Sequence, residues 1–186
     1  MNVPISWVNF DELHNIAPGK HMYQFYRNAE DYMRVMIPYF QSGLHKGEAC
    51  LWIVSEKIGI EHARVTAEAE IERYLFYVAC GQFQIVSAEE WYFTEGRMDE
   101  EKSLLNAQRQ IERIQKQGYH RLRGAGDMGT LSRENWPRAH DYEHKIAEMV
   151  KGQPVIALCA YPILECTITD TKNILEEHDG VLMGHF

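Results

Sequence analysis

The sequence lacks most of the features that would fix a function at once. No apolar run is long enough to span a bilayer, and residues 1–20 are mixed and acidic, without the apolar core of a signal peptide. The expectation is a cytoplasmic protein with no membrane partner. There is no CxxC pair, no GxSxG elbow, no HExxH helix and no glycine-rich loop ending in Lys-Ser/Thr. These absences remove disulfide exchange, α/β-hydrolase chemistry, zincin proteolysis and Walker-type phosphate binding. Positive charge is also short, with 19 basic against 27 acidic residues and a formal net charge of −8. A general nucleic-acid binder usually shows a basic face, so direct nucleic-acid binding is not expected. The four cysteines, Cys50, Cys80, Cys159 and Cys166, are scattered and expected to be reduced thiols, with Cys50 and Cys159 buried in apolar strands.

The 186 residues suit one domain with a sizeable core, and no internal repeat or Pro/Gly/Ser linker divides them. Strand and helix patterns alternate. The strands expected are 21–26, 49–55, 83–86, 119–124, 154–160 and 181–183. Asn28 caps a helix that opens on Glu30 and Asp31 and stops at Gly43, with Pro38 bending or breaking it. Two shorter helices follow, the second burying Ile71, Tyr74, Leu75 and Val78. The clearest helix runs from Asp99 to Gln117, others span 136–150 and 171–177. This alternation predicts an α/β fold of three layers, a mostly parallel sheet with helices on both faces. Its strand order is not derivable from the sequence.

In such sheets ligands gather at the carboxyl ends of the strands. Residues 26–28, 55–57, 88–91, 124–127 and 161–162 are therefore expected to form loops along one edge. The stretch Gly124-Ala125-Gly126-Asp127 reads equally as a backbone cradle with one acid or as a tight corner in which Asp127 caps a helix. Tyr26, Trp91, Tyr92 and Tyr161 could wall a pocket there, or simply cover the core. Nine histidines raise the question of a metal. His140 and His144 share one helix face beside Glu143 at i, i+4 spacing, although a solvated face explains them as well. His21 and His178 each precede a strand, so they belong at the amino edge, where they could meet; capping or packing is the plainer role for both.

Several segments in order resemble one family. They are His21 through Phe25-Tyr26, Gly43-Leu44 with Gly47-Glu48, Arg123-Gly124 with Gly126-Asp127, Tyr142-Glu143, Leu158-Cys159-Ala160-Tyr161, and His178. From His21 onward the chain is similar to the MEDS domain, a methanogen/methylotroph sensory domain found in a dichloromethane-responsive repressor and in signalling kinases. The resemblance implies a single MEDS-like domain over residues 1–186, with 1–20 as an extension, and a RecA-like core without a Walker A loop. The turn Tyr26-Arg27-Asn28-Ala29-Glu30 agrees with that loss. Recurrent family positions fall on His21, Glu48, Asp127, Glu143, Cys159, Tyr161 and His178. Pro162 and Met128-Gly129-Thr130 depart from the family pattern.

The expected function is a non-catalytic sensory domain that binds a simple hydrocarbon derivative and signals through a kinase or transcription regulator. Its ligand-binding candidates are Tyr26, Glu48, Trp91, Gly124, Gly126, Asp127, Glu143, Cys159 and Tyr161. No cofactor is indicated. His21, His140, His144 and His178 are the candidate metal ligands of an alternative, a metal-dependent hydrolase or lyase. A third reading is a relic RecA-like fold that docks on a partner, or on a second copy, through aromatic surface near Trp7, Phe10, Trp91 and Trp136.

Overall fold

A computed structural model describes residues 5–7 and 13–183, and the side chains of 13–182. Phe10 and the side chain of Trp7 lie outside these described parts. Along the chain run β1 (Ile5–Trp7), β2 (Lys20–Tyr26), α1 (Ala29–His45), β3 (Ala49–Val54), α2 (Ile60–Glu70) and α3 (Tyr74–Ala79). Next come β4 (Phe83–Ser87), α4 (Ala88–Tyr92), β5 (Phe93–Thr94), β6 (Arg97–Met98), α5 (Glu100–Lys116) and β7 (Leu122–Asp127). Then follow α6 (Trp136–Val150), β8 (Val155–Pro162), α7 (Ile168–Glu177) and β9 (Gly180–Met183). Seven strands form one sheet in the order β1-β9-β2-β8-β7-β3-β4, and every pairing in it is parallel. β5 and β6 make a separate antiparallel hairpin.

Alternation along the strands assigns side chains to two cores, because successive residues point to opposite faces. Cys50, Trp52 and Val54 pack with α1, α2 and α3, whereas Ala49, Leu51 and Ile53 pack with the α4–α7 side. On that second face His21, Tyr23 and Phe25 of β2 lie opposite Ala157, Cys159 and Tyr161 of β8.

Asn28 caps α1 by accepting from the Asp31 amide, 2.9 Å away. The helix then runs unbroken through Pro38 to His45. Its buried Met36, Ile37, Tyr39 and Phe40 outweigh a proline penalty of about 3 kcal/mol. The α3 face also differs from expectation: Tyr74 and Tyr77 are buried, while Leu75 and Val78 are exposed. Residues 88–91 fold into α4, capped by Ser87, where a loop was expected.

The glycine stretch is a strand and not a turn. β7 extends through Asp127, and neither Gly124 nor Gly126 has a positive φ. The glycines serve close approach instead. A methyl group at Gly126 would strike the Tyr92 hydroxyl, and one at Gly129 would strike that of Tyr26.

Candidate functional site

At the carboxyl edge Asp127 is completely buried and fully engaged. Tyr26 donates to its Oδ1 at 2.7 Å, Ser55 donates to its Oδ2, and the Gly129 amide donates to Oδ1 at 2.9 Å. Burial pushes the carboxyl above its usual range, and these donors oppose the shift. The result is a closed knot tying β2, β3 and β7.

The N-terminus of α1, where a RecA-like protein would cradle phosphate, is filled by the chain itself. Arg27 Nε and Nη2 donate to the Asp31 carboxylate at 2.5 and 3.0 Å, and the Arg27 amide points at it too. Glu30 adds a second negative charge in the same turn.

Glu48 lies at the opposite, amino edge. Its carboxylate receives Arg123 Nε at 2.6 Å and Arg121 Nη1 at 2.9 Å, and both Glu48 and Arg123 are fully buried. Arg123 also donates to the carbonyls of Leu13 and Tyr39. Glu48 and Asp127 therefore do not meet.

Between the sheet, α6 and α7 the structure gathers His21, Glu143, Cys159 and His178, all buried, with one donor atom of each within 4.8 Å of the others. His21 Nε2 is 3.2 Å from Glu143 Oε2 and 3.3 Å from Cys159 Sγ. His178 Nε2 is 3.4 Å from the same Glu143 oxygen. The two imidazoles stack at 4.0 Å, and Tyr161 sets its ring edge-on to His178 at 5.9 Å. Burial pushes the Glu143 carboxyl up, but the imidazoles beside it prevail and hold it well below the usual carboxylate range. Burial drives His178 below the ordinary imidazole range and Cys159 far above the ordinary thiol range. The Tyr161 hydroxyl, Glu143 Oε1 and His21 Nδ1 are buried without a hydrogen-bond partner, a costly state for polar atoms that marks sites needing explanation.

A cavity of about 320 Å³ opens between α6 and α7 directly onto this cluster. Glu143, Tyr161 and His178 line it, with Trp136, Ala139 and His140 from α6 and Asp170, Asn173, Ile174 and Glu177 from α7 and its approach. His144 points to the surface, where it pairs with Glu177 at 3.1 Å. Trp91, Gly124, Gly126 and Cys159 border a different void of about 60 Å³, between α5, α6 and the sheet. Trp91 is buried, so it offers no docking surface.

The sequence candidates thus separate into four places. Glu143 and Tyr161 reach the α6–α7 cavity, Trp91 and the glycines the small void, Tyr26 and Asp127 the carboxyl knot, and Glu48 the amino-edge ion pair. Cys159 belongs both to the small void and to the histidine cluster. Of the cavity walls, Glu143 and His140 on α6 were expected site residues, whereas Ala139 and the face of α7 were not. A signal existed: Trp136, Ala139, His140 and Glu143 recur at i, i+3, i+4, i+7, as do Asp170, Asn173, Ile174 and Glu177, so each set shares one helix face.

Comparison with curated proteins gave no match. Among solved structures, the KaiC-like protein PH0186 of Pyrococcus horikoshii OT3 superposes with a TM-score of 0.59 at 14% identity, covering 97% of this chain and 82% of that one. The flagellar accessory protein FlaH of Methanocaldococcus jannaschii superposes with a TM-score of 0.49 at 9% identity, over 95% of this chain and 76% of that one. The first shows a RecA-like α/β fold, and among the described residues no helix is long and apolar enough to cross a membrane. The family model described as the MEthanogen/methylotroph, DcmR Sensory domain matches residues 20–179, and the chain belongs to this MEDS family of sensory domains.

Proposed function

We propose that the domain senses a small molecule in the cavity between α6 and α7 and relays its presence to a protein partner. The observation that carries this reading is the cavity itself, with the buried polar atoms of Glu143, Tyr161 and His178 at its floor. Its volume of about 320 Å³ falls at the small end of ligand sites, which span roughly 300–1,000 Å³. Trp136, Pro137, Ala139 and Ile174 supply apolar wall. That combination suits a short-chain hydrocarbon derivative bearing one polar group, the ligand class the family resemblance implies.

The relay follows from how α7 is held. Ile174 is its one buried residue. Its ends are fastened to the α6 side by exposed pairs, Arg133 with Asp170 at 2.5 Å and His144 with Glu177 at 3.1 Å. An element with so little buried surface is among the easiest to displace. A ligand wedged against Ile174 and Asn173 would reposition α7, and a kinase or transcription regulator would read the change.

Thermal-shift screening against halogenated and oxygenated hydrocarbons of one to four carbons (about the range this volume admits) tests the reading. At least one compound should raise the melting temperature saturably. Silence across the panel would overturn it.

A further inference from the structure

We infer that His21, His178, Glu143 and Cys159 form a binding site for a divalent transition metal of the zinc class. The four donors come from β2, the segment after α7, α6 and β8, and all are buried. Imidazole nitrogen, thiolate and carboxylate are the donor types that zinc and its neighbours take from proteins.

The spacing fits an ion. A tetrahedral zinc with bonds of about 2.0–2.3 Å sets its donors about 3.3–3.8 Å apart. The contacts here are 3.2 Å for His21 Nε2 to Glu143 Oε2, 3.3 Å for His21 Nε2 to Cys159 Sγ and 3.4 Å for His178 Nε2 to Glu143 Oε2. All four donor atoms lie within 4.8 Å of one another, so a single ion at the centre reaches them once the wider pairs close by up to about an ångström.

The second observation is the hydrogen bond behind His178. Its Nδ1 lies 2.6 Å from the Ile174 carbonyl, which can only accept, so Nδ1 carries the proton. In the neutral ring Nε2 is then bare, and both it and the Glu143 oxygen 3.4 Å away are buried without a hydrogen-bond partner. A cation between them would satisfy both. A histidine that donates its far N–H to a backbone carbonyl is the usual support for a metal-bound ring.

Four protein donors close a zinc coordination shell, as in structural sites, whereas catalytic zinc keeps one position for water. The site therefore favours a sensory or stabilising metal over a hydrolytic one. This inference deepens the cavity reading, because Glu143 and His178 also form the cavity floor, but its evidence is the donor geometry.

Cobalt(II) titration of the chelator-treated full chain, with no organic compound present, tests the site separately from ligand sensing. One equivalent should give the intense visible bands of tetrahedral cobalt plus a near-ultraviolet thiolate band, and zinc should abolish both. Cys159→Ser should lose the thiolate band, and His178→Gln should weaken cobalt binding by about tenfold or more. If His178→Gln fails to fold, the Cys159→Ser spectrum carries the test. His62→Gln, on the exposed side of α2 across the sheet, should change nothing. Absence of a tetrahedral spectrum in the wild type would overturn the site. So would a spectrum unchanged by both cluster substitutions, or one removed by His62→Gln.

Discussion

The imidazole of His178, at the end of α7, stacks on that of His21, near the start of β2, with ring centroids 4.0 Å apart. Both nitrogens nearest Glu143 converge on one carboxylate oxygen. Strand order produces this meeting: β9 and β8 flank β2, so the segment leading into β9 lies beside β2 and Cys159 lies on its other side. The cluster forms the floor of the α6–α7 cavity, and the first prediction concerns filling that cavity. Asn173→Phe adds a ring to the cavity wall and leaves Glu143, Tyr161 and His178 unsubstituted. It should abolish any ligand-induced thermal shift while moving unliganded stability by only about 0.5 kcal/mol, as expected for a half-exposed position. A ligand response of wild-type size in this variant would place the ligand elsewhere.

The amino-edge pair predicts a large stability effect without a direct effect on sensing. Glu48→Ala leaves the Arg123 guanidinium buried and uncompensated, which costs about 3–5 kcal/mol. The double replacement Glu48→Leu with Arg123→Met removes both charges and should cost clearly less. Urea denaturation of the three proteins measures the difference. If the single and double replacements cost the same, the pair is not the buried charge contact described above.

Asp127 should reveal itself through pH. Its folded-state pKa is raised, with burial the largest cause. Its contribution is therefore complete below the unfolded carboxyl value, about 3.9, and is lost as pH rises through the higher folded value. The wild type should gain stability relative to Asp127→Asn as pH falls through that window. Parallel stability–pH curves would contradict the shift. Tyr26→Phe, which removes a donor to this carboxylate, should cost about 1.5–3 kcal/mol in the range where Asp127 is charged.

Nucleotides should be ignored despite the RecA-like fold. Asp31 and Glu30 put negative charge at the helix end where phosphate would sit, and Arg27 is already committed to Asp31. Millimolar ATP with magnesium should leave the melting temperature unchanged. A saturable shift would show that the α1 terminus still accepts phosphate.

Much of this architecture could be read from the residues because the signals were local. The apolar run Ala49–Val54 is a strand buried along its whole length. The Asn28 cap, the acidic first turns and the missing Lys-Ser/Thr after Tyr26 are likewise sequence-local. Gly124–Asp127 misled because glycines signal turns, and only the Tyr92 hydroxyl from α4 shows why a strand needs them here. His21 and His178 were both recognisable as amino-edge residues that could meet. Their convergence with Glu143 and Cys159 depends on β9 and β8 lying on either side of β2, a non-local fact that no periodicity encodes. The cavity walls were hidden for a milder reason. The two helix faces were legible separately, but nothing in the chain stated that α6 and α7 face one another.

The most direct measurement uses the indole N–H signals of the protein's four tryptophans in a ¹⁵N–¹H correlation spectrum. Trp136 lines the α6–α7 cavity, and Trp91 lines the small void on the other side of α6. Titration with whichever hydrocarbon derivative raises the melting temperature should shift the Trp136 signal saturably and leave Trp91 in place. A saturable shift of Trp91 with Trp136 unmoved would contradict the account.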